Sequence, residues 1–206
     1  MKPLVDILEE SSVLVKETGQ WILEQSTQFS SSDIIYKGTN DLVSFVDQQA
    51  EAKLKQGLSL IFPEAGFIAE ETSANYEDVG DGFYWVIDPL DGTTNFLHKL
   101  PVFAVSVGLI LNKQPILGLI YEPNRDELFT AAKGHGAHLN GSPIRVSPEN
   151  SLSKSLLATG FPYYDFSYQD RYLELLKELM RSSHGLRRMG AAAIDLAYTA
   201  CGRFEG

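Results

Sequence analysis

The stretch WVIDPLDGTTNF, Trp85 to Phe96, decides how this chain is read. Phe83 to Ile87, leading into it, are aromatic and β-branched and predict a buried strand. The strand ends in Asp88, and Asp91 follows after one tight turn, so both carboxylates can converge on one point, with the backbone carbonyl of Leu90 directed into the same turn. Gly92 lets the backbone approach a ligand closely, and the free amides of a helix starting at Gly92-Thr93-Thr94 suit an anion such as phosphate. Asp91 or Thr93 can equally serve as the cap of that short helix. The two readings are compatible, since a capped helix start is also an anion site.

Upstream, GFIAEE (Gly66–Glu71) reads as a second strand ending in Glu70 and Glu71. If the two strands are neighbours, Glu70, Asp88 and Asp91 form a pocket of carboxylates at their carboxyl ends. An oxygen-only set without His or Cys is what hard cations such as Mg²⁺ prefer, and Asp88 is placed to bridge two of them. Taken singly, each acid reads as a solvated loop residue or a cap; the combination at two strand ends points to a metal. Asp47 suits the N-cap of a helix and also the role of acceptor for the Thr93 hydroxyl. Lys37 and Asp41 lie on the Gly/Asn-rich stretch YKGTND, where a lysine is ordinarily solvated. His98, His135, His138 and His184 lack ligand spacing and are read as structural or surface residues.

The 206 residues hold a sizeable core, as one domain or a tightly joined pair. A formal net charge of -10 argues against a nucleic-acid groove, yet leaves room for a small phosphorylated ligand, because a bound divalent cation reverses the local field. The single cysteine, Cys201, fits a reducing compartment and a small buried apolar role. The N-terminal segment mixes acids into its apolar residues, unlike a signal peptide, and the longest apolar run, Val102 to Leu111, is too short to span a bilayer. These features predict a soluble cytoplasmic protein with no membrane contact.

Leu4, Leu8, Leu14, Val15 and Ile22 keep a helical period and open the chain with a long amphipathic helix. Asp33 to Val46 is expected to hold a turn and a strand. A second helix places Ala50, Leu54, Leu58 and Ile61 on one face and stops at Pro63. Strands follow at GFIAEE, FYWVID, FAVSVGLIL and ILGLIYEP, the last two joined through Asn112-Lys113-Gln114. ELFTAA, GAHLNG and PIRVS continue the sheet, with Asn140-Gly141 as a turn. Then SLLATGF and GLRRMG read as strands, Gln169 to Arg181 and AAAIDLAYTACG as helices, with Gly202 near the last C-cap. The order predicts a layered α+β or α/β sandwich.

Four motifs in register, YKGTNDLVSFVD, GFIAEE, WVIDPLDGTTNF and GAAAIDLAYTACGRFEG, make the chain resemble the inositol monophosphatase family of Mg²⁺-dependent, Li⁺-sensitive phosphatases. The resemblance runs over essentially the whole chain, and NFLHKLPVFAVSVG is similar to its monophosphatase branch. It implies an αβαβα sandwich of the sugar-phosphatase type, with residues 1–150 as an α+β subdomain bearing most metal ligands and 151–206 as the start of a C-terminal α/β subdomain. Carried over, Glu70, Asp88 and the Leu90 carbonyl bind a first Mg²⁺, Asp88 and Asp91 contribute to a second, and Glu70 touches a third. Gly92 and Thr93 hold the phosphate through their amides; Asp91, Gly190 and Ala192 meet the substrate. Thr93, oriented by Asp47, helps Glu70 activate a water for in-line attack on a phosphate monoester. Lys37, Asp41, Glu71 and Thr94 support the site. The implied substrate is inositol monophosphate; alternatives are histidinol phosphate, phosphoadenosine phosphate, fructose bisphosphate, or a non-catalytic role. A homodimer is implied as well. The family carries a Trp-Asp motif shortly after the point matching CGRFEG. The expectation is therefore a truncated chain, with the rest of its second sheet and helices missing and a second metal site weakened to Asp88 and Asp91.

Overall fold

A computed structural model describes residues 2–28, 34–36, 42–69, 80–162 and 165–206, with the backbone alone for 34–36 and 42–44. The chain opens with helix α1 (Leu4–Gln28), followed by a small antiparallel pair, β1 (Ile34–Tyr36) and β2 (Leu42–Ser44). Helix α2 (Phe45–Ile61) starts directly after β2. Asp47 therefore sits inside the first turn and does not cap it. The segment expected to carry one strand carries two.

Among the described residues, seven strands form the central sheet in strict chain order: β3 (Gly66–Ala69), β4 (Phe83–Asp91), β5 (Ala104–Leu111), β6 (Gln114–Glu122), β7 (Glu127–Ala132), β8 (Gly136–Leu139) and β9 (Ser142–Pro143). β3 runs parallel to β4, and every later pairing is antiparallel. Asn112 and Lys113 both take positive φ, 50° and 63°, as a two-residue hairpin requires, and Asn140-Gly141 repeats the device at 47° and 79°. The expected strand PIRVS shrinks to its first residue: β9 ends at Pro143, with one more bond to β8 from the Ile144 N–H to the Ala137 carbonyl.

Strand parity sorts the core. Trp85, Ile87, Val105, Val107, Leu109, Leu117, Leu119 and Tyr121 project from one face against Ile7, Val15 and Ile22 of α1 and Ala50, Leu54 and Leu58 of α2. The α1 contact is close enough that a Cβ on Gly19 would collide with the Tyr121 ring. From the other face Ala104, Ile120 and Phe129 meet helix α5 (Ala192–Ala200), which also packs on Leu156 and Ala158 of β10 (Leu156–Ala158). β10 pairs in parallel with β11 (Gly185–Arg187), and helix α4 (Gln169–Ser182) lies against β11. The layers are thus helix pair, sheet, helix, small sheet, helix. This is the expected αβαβα sandwich. Among the described residues no helix is long and apolar enough to cross a membrane.

The C-terminal end of α5 is fixed twice. Gly202, at φ 78°, turns the chain so that its N–H donates to the Thr199 carbonyl (3.1 Å) while the Arg203 N–H donates to that of Tyr198 (2.8 Å). The Arg203 guanidinium then forks onto Glu127 of β7, at 2.6 Å to each carboxylate oxygen, and stacks over the Tyr198 ring. Arg203 holds the Glu127 carboxyl below its ordinary range. Glu127→Gln is expected to cost about 1 kcal/mol near neutral pH, or about 2–4 °C in Tm. The ionised carboxylate is the stabilising form, so the contribution is complete above the unfolded glutamate's range and lost as pH falls through the lowered folded value. Melting curves should show the gap between wild type and variant closing in acid.

Candidate active site

Asp88 and Asp91 lie three residues apart on β4, and in a regular strand that spacing sends side chains to opposite faces. Here Asp88 pairs with Ser106 and Asp91 with Ala104, so β4 spends three residues where β5 spends two. The extra residue is a β-bulge, and it returns Asp91 to the face that carries Asp88. The local sequence favours it. Pro89 has no N–H to place in the ladder, and the Leu90 N–H is taken by Asp88 itself, which accepts it on Oδ1 at 3.2 Å. The tight turn expected after Asp88 is thus a bulge within a strand that continues to Asp91.

The chain leaves β4 through Gly92, whose φ of 95° and ψ of 32° are left-handed. A Cβ there would stand 3.0 Å from the Val102 carbonyl oxygen, 3.2 Å from Ala191 Cβ and 3.3 Å from the Gly190 carbonyl oxygen. Helix α3 (Thr93–Leu97) follows, with Gly92 at its N-cap and no side chain capping it, so neither Asp91 nor Thr93 has that role. The Thr93 hydroxyl donates to the Leu90 carbonyl at 2.9 Å and lies 3.5 Å from Oδ2 of the buried Asp47. Thr94 is exposed. Asn95, buried, donates from Nδ2 to the carbonyls of Val102 (2.7 Å) and Met189 (2.9 Å), tying α3 to the segment that leads into α5.

Asp91 closes the arrangement. Its Oδ1 accepts the Ala192 N–H at 3.1 Å and its Oδ2 the Ala193 N–H at 2.6 Å, so it neutralises the positive end of α5 from across the fold. Burial pushes its carboxyl above the ordinary range, and the two amide bonds oppose that rise. A carboxylate offers about four lone-pair directions, so these bonds leave acceptor capacity for a cation. Next to it, Asp195 on α5 is pushed up to about 6 by burial and by the charge of Asp91, against the pull of Arg188. A cavity of about 390 Å³ opens here, lined by Asp91, Thr159, Arg188, Gly190, Ala192 and Asp195 among others. A second hollow of about 490 Å³, mostly apolar, runs from Asp88 along Val86, Ser106 and Ile120 to Leu196.

Of the residues singled out in the sequence, Asp47, Asp88, Leu90, Asp91, Gly92, Thr93, Gly190 and Ala192 gather around the β4 bulge and the start of α5. Lys37, Asp41, Glu70 and Glu71 lie outside the described residues. The strand adjacency that the carboxylate pocket requires is present, with Ala69 paired to Ile87 in parallel. Among the described residues no three His, Cys, Asp or Glu side chains surround one point. The donor set at the bulge is nonetheless all oxygen, which fits a hard cation. Sequence reasoning passed over Asn95, Thr159, Arg188 and Asp195. Asn95 is an unexceptional helical residue by pattern, and Asp195 reads as the polar side of an amphipathic helix; the chain pairing that gives them partners lies about a hundred positions away.

A phosphatase-type αβαβα sandwich with its acidic bulge at one end of the central sheet places the chain in a class, and the family model agrees. The chain belongs to the inositol monophosphatase family, whose model matches residues 5–206. It is 38% identical over 206 residues to the Nus factor SuhB of Escherichia coli K12, spanning all of this chain and 76% of that protein. It is 37% identical, over 100% of this chain and 77% of the relative, to a protein of Aquifex aeolicus named fructose-1,6-bisphosphatase/inositol-1-monophosphatase. Among solved structures, the suhB protein of Bartonella henselae superposes with a TM-score of 0.86 at 37% identity, covering 96% of this chain and 75% of that one.

The crowding at Gly92 sets an expectation. Gly92→Ala, forced to φ 95° against two carbonyl oxygens, should lose about 1–3 kcal/mol, read as a lowered denaturation midpoint with an unchanged slope.

Proposed function

We propose that this chain is a Mg²⁺-dependent phosphatase of small polyol phosphates, with inositol monophosphate as its substrate. The observation carrying the reading is the bulge in β4, which sets Asp88 and Asp91 on one face beside the amides that open α5. Asp88, Asp91 and the Leu90 carbonyl, with Glu70 from the sequence, would hold Mg²⁺. When bound, such an ion supplies charge to the phosphate oxygens and acidifies water. The chain's own residues do the rest. Gly92 and Thr93 present main-chain amides at the start of α3, where an anion is favoured. Thr93 keeps its hydroxyl anchored on Leu90 and close to Asp47, whose burial sharpens its preference for a donor. Gly190 and Ala192 leave room beside Asp91 for the alcohol portion of the substrate. A cytoplasmic homodimer completes the proposal.

A second reading, a fructose bisphosphate phosphatase, is favoured by the double name of the Aquifex relative. Measured phosphate release from inositol 1-phosphate and from fructose 1,6-bisphosphate separates the two. Turnover is expected only with Mg²⁺, to stop with chelator, and to fall with added Li⁺. Asp91→Asn should lower it by at least about 10–100-fold, the range that disturbing a metal ligand's surroundings costs, with an unchanged far-ultraviolet spectrum. Release at the wild-type rate in that variant rules out Asp91 as a ligand. No release from either substrate, nor from histidinol phosphate or phosphoadenosine phosphate, with Mg²⁺ present, removes the enzymatic reading and leaves a non-catalytic role, for which the Escherichia coli relative named a Nus factor is the precedent.

A further inference from the structure

Resting on the phosphatase reading above, we propose that Asp195 is the residue that selects the alcohol half of the substrate: its carboxylate accepts a hydroxyl of a polyol seated in the cavity between α5 and the Thr159–Gly160 segment. Asp195 stands one turn inside α5, three residues after Ala192 and four before Thr199, and all three line the same cavity. Its Oδ1 is closed off from solvent and has no hydrogen-bond partner among the described residues. Leaving a buried carboxylate oxygen unmet is costly, and the broad χ2 torsion of an aspartate lets the carboxylate swing part-way toward the cavity that Asp195 lines, where a ligand hydroxyl can meet it.

The chemistry around it chooses the ligand. Asp195 offers only acceptors and Arg188, on the same wall, only donors. An alcohol O–H, which donates and accepts, meets both at once. A phosphate placed here would face the carboxylates of Asp91 and Asp195 together, whereas at the β4 bulge the cation that Asp88 and Asp91 would hold offsets their charge; the anionic end of the substrate therefore belongs at the bulge and the neutral polyol end beside Asp195. The volume, about 390 Å³, falls within the span of small-molecule sites. A site that satisfies a buried acceptor with a ligand hydroxyl discriminates against ligands that lack one. An aryl phosphate therefore forgoes this contact, whereas inositol phosphate makes it.

The test compares kcat/KM for myo-inositol 1-phosphate and for p-nitrophenyl phosphate, with Mg²⁺, in wild type, Asp195→Asn and Asp195→Ala, each variant's fold checked by its thermal melt. The expected result is a fall of about tenfold or more in the inositol-to-aryl preference for Asp195→Ala, with a smaller fall for Asp195→Asn, which keeps one acceptor. If Asp195→Ala melts below the assay temperature, the fall in Asp195→Asn carries the test. A preference unchanged within about twofold overturns the proposal, as does a shift confined to the Mg²⁺ concentration for half-maximal rate, which would assign Asp195 to the cation. A wild-type chain that hydrolyses neither compound defeats the phosphatase reading itself, and this proposal with it.

Discussion

Everything at the candidate site depends on one inserted residue in β4. Without the bulge between Asp88 and Asp91, alternation would bury one of the two carboxylates against α1 and α2, among Trp85, Ile87 and Leu54. An ionised group there would cost several kcal/mol. With it, both leave the sheet on the face that α5 covers. The bulge is also inexpensive, since the two amides that would break the ladder are disposed of locally: Pro89 has none, and that of Leu90 goes to Asp88. Proline and aspartate in this order therefore do structural work before any chemistry is considered.

The second constraint is the docking of α5. Its N-terminal amides belong to Asp91, its approach is fixed by Asn95 through the Met189 carbonyl, and its far end is held by Gly202 and by the fork of Arg203 on Glu127. Asp91 is thus at once the helix's electrostatic partner and a proposed ligand. Those roles reinforce each other, because the amides that stabilise its charge for the fold also oppose the penalty of burial. The crowding at Gly92 follows from the same docking, since a Cβ there would stand 3.3 Å from the Gly190 carbonyl oxygen and 3.2 Å from Ala191 Cβ.

Much of this architecture is legible along the chain, for reasons that differ by element. The helices α1 and α2 and the meander from β4 to β8 follow from periodicity and from turn chemistry such as Asn140-Gly141, both local signals. The failures are local too. Asp47 looks like a cap because helix starts favour aspartate, but β2 runs into α2 without a linker, so the helix already begins at Phe45. PIRVS has strand composition, but its pairing with β8 ends at the bond from the Ile144 N–H to the Ala137 carbonyl, where the Ile144 side chain joins the α5 core. At the site, the motif around Asp91 announces itself, whereas Asn95, Arg188 and Asp195 acquire meaning only when α5 arrives from a hundred residues away. Pattern finds ligands carried on one segment. It does not find the wall supplied by another.

That division bears on how an acidic chain can host a phosphorylated ligand. With a net charge of -10, its average field repels one. Backbone dipoles supply part of the answer, in the starts of α3 and α5, and α5's contribution is already committed to Asp91. What remains for the anion is the start of α3 and whatever cation the carboxylates hold. The uncharged portion of the ligand has no such difficulty and can lie against Asp195 and Arg188. On the proposed reading, such an acidic pocket sorts its ligand end from end: the charged group would be tolerated only beside the bulge, and the hydroxyl-bearing body accepted where no cation is needed.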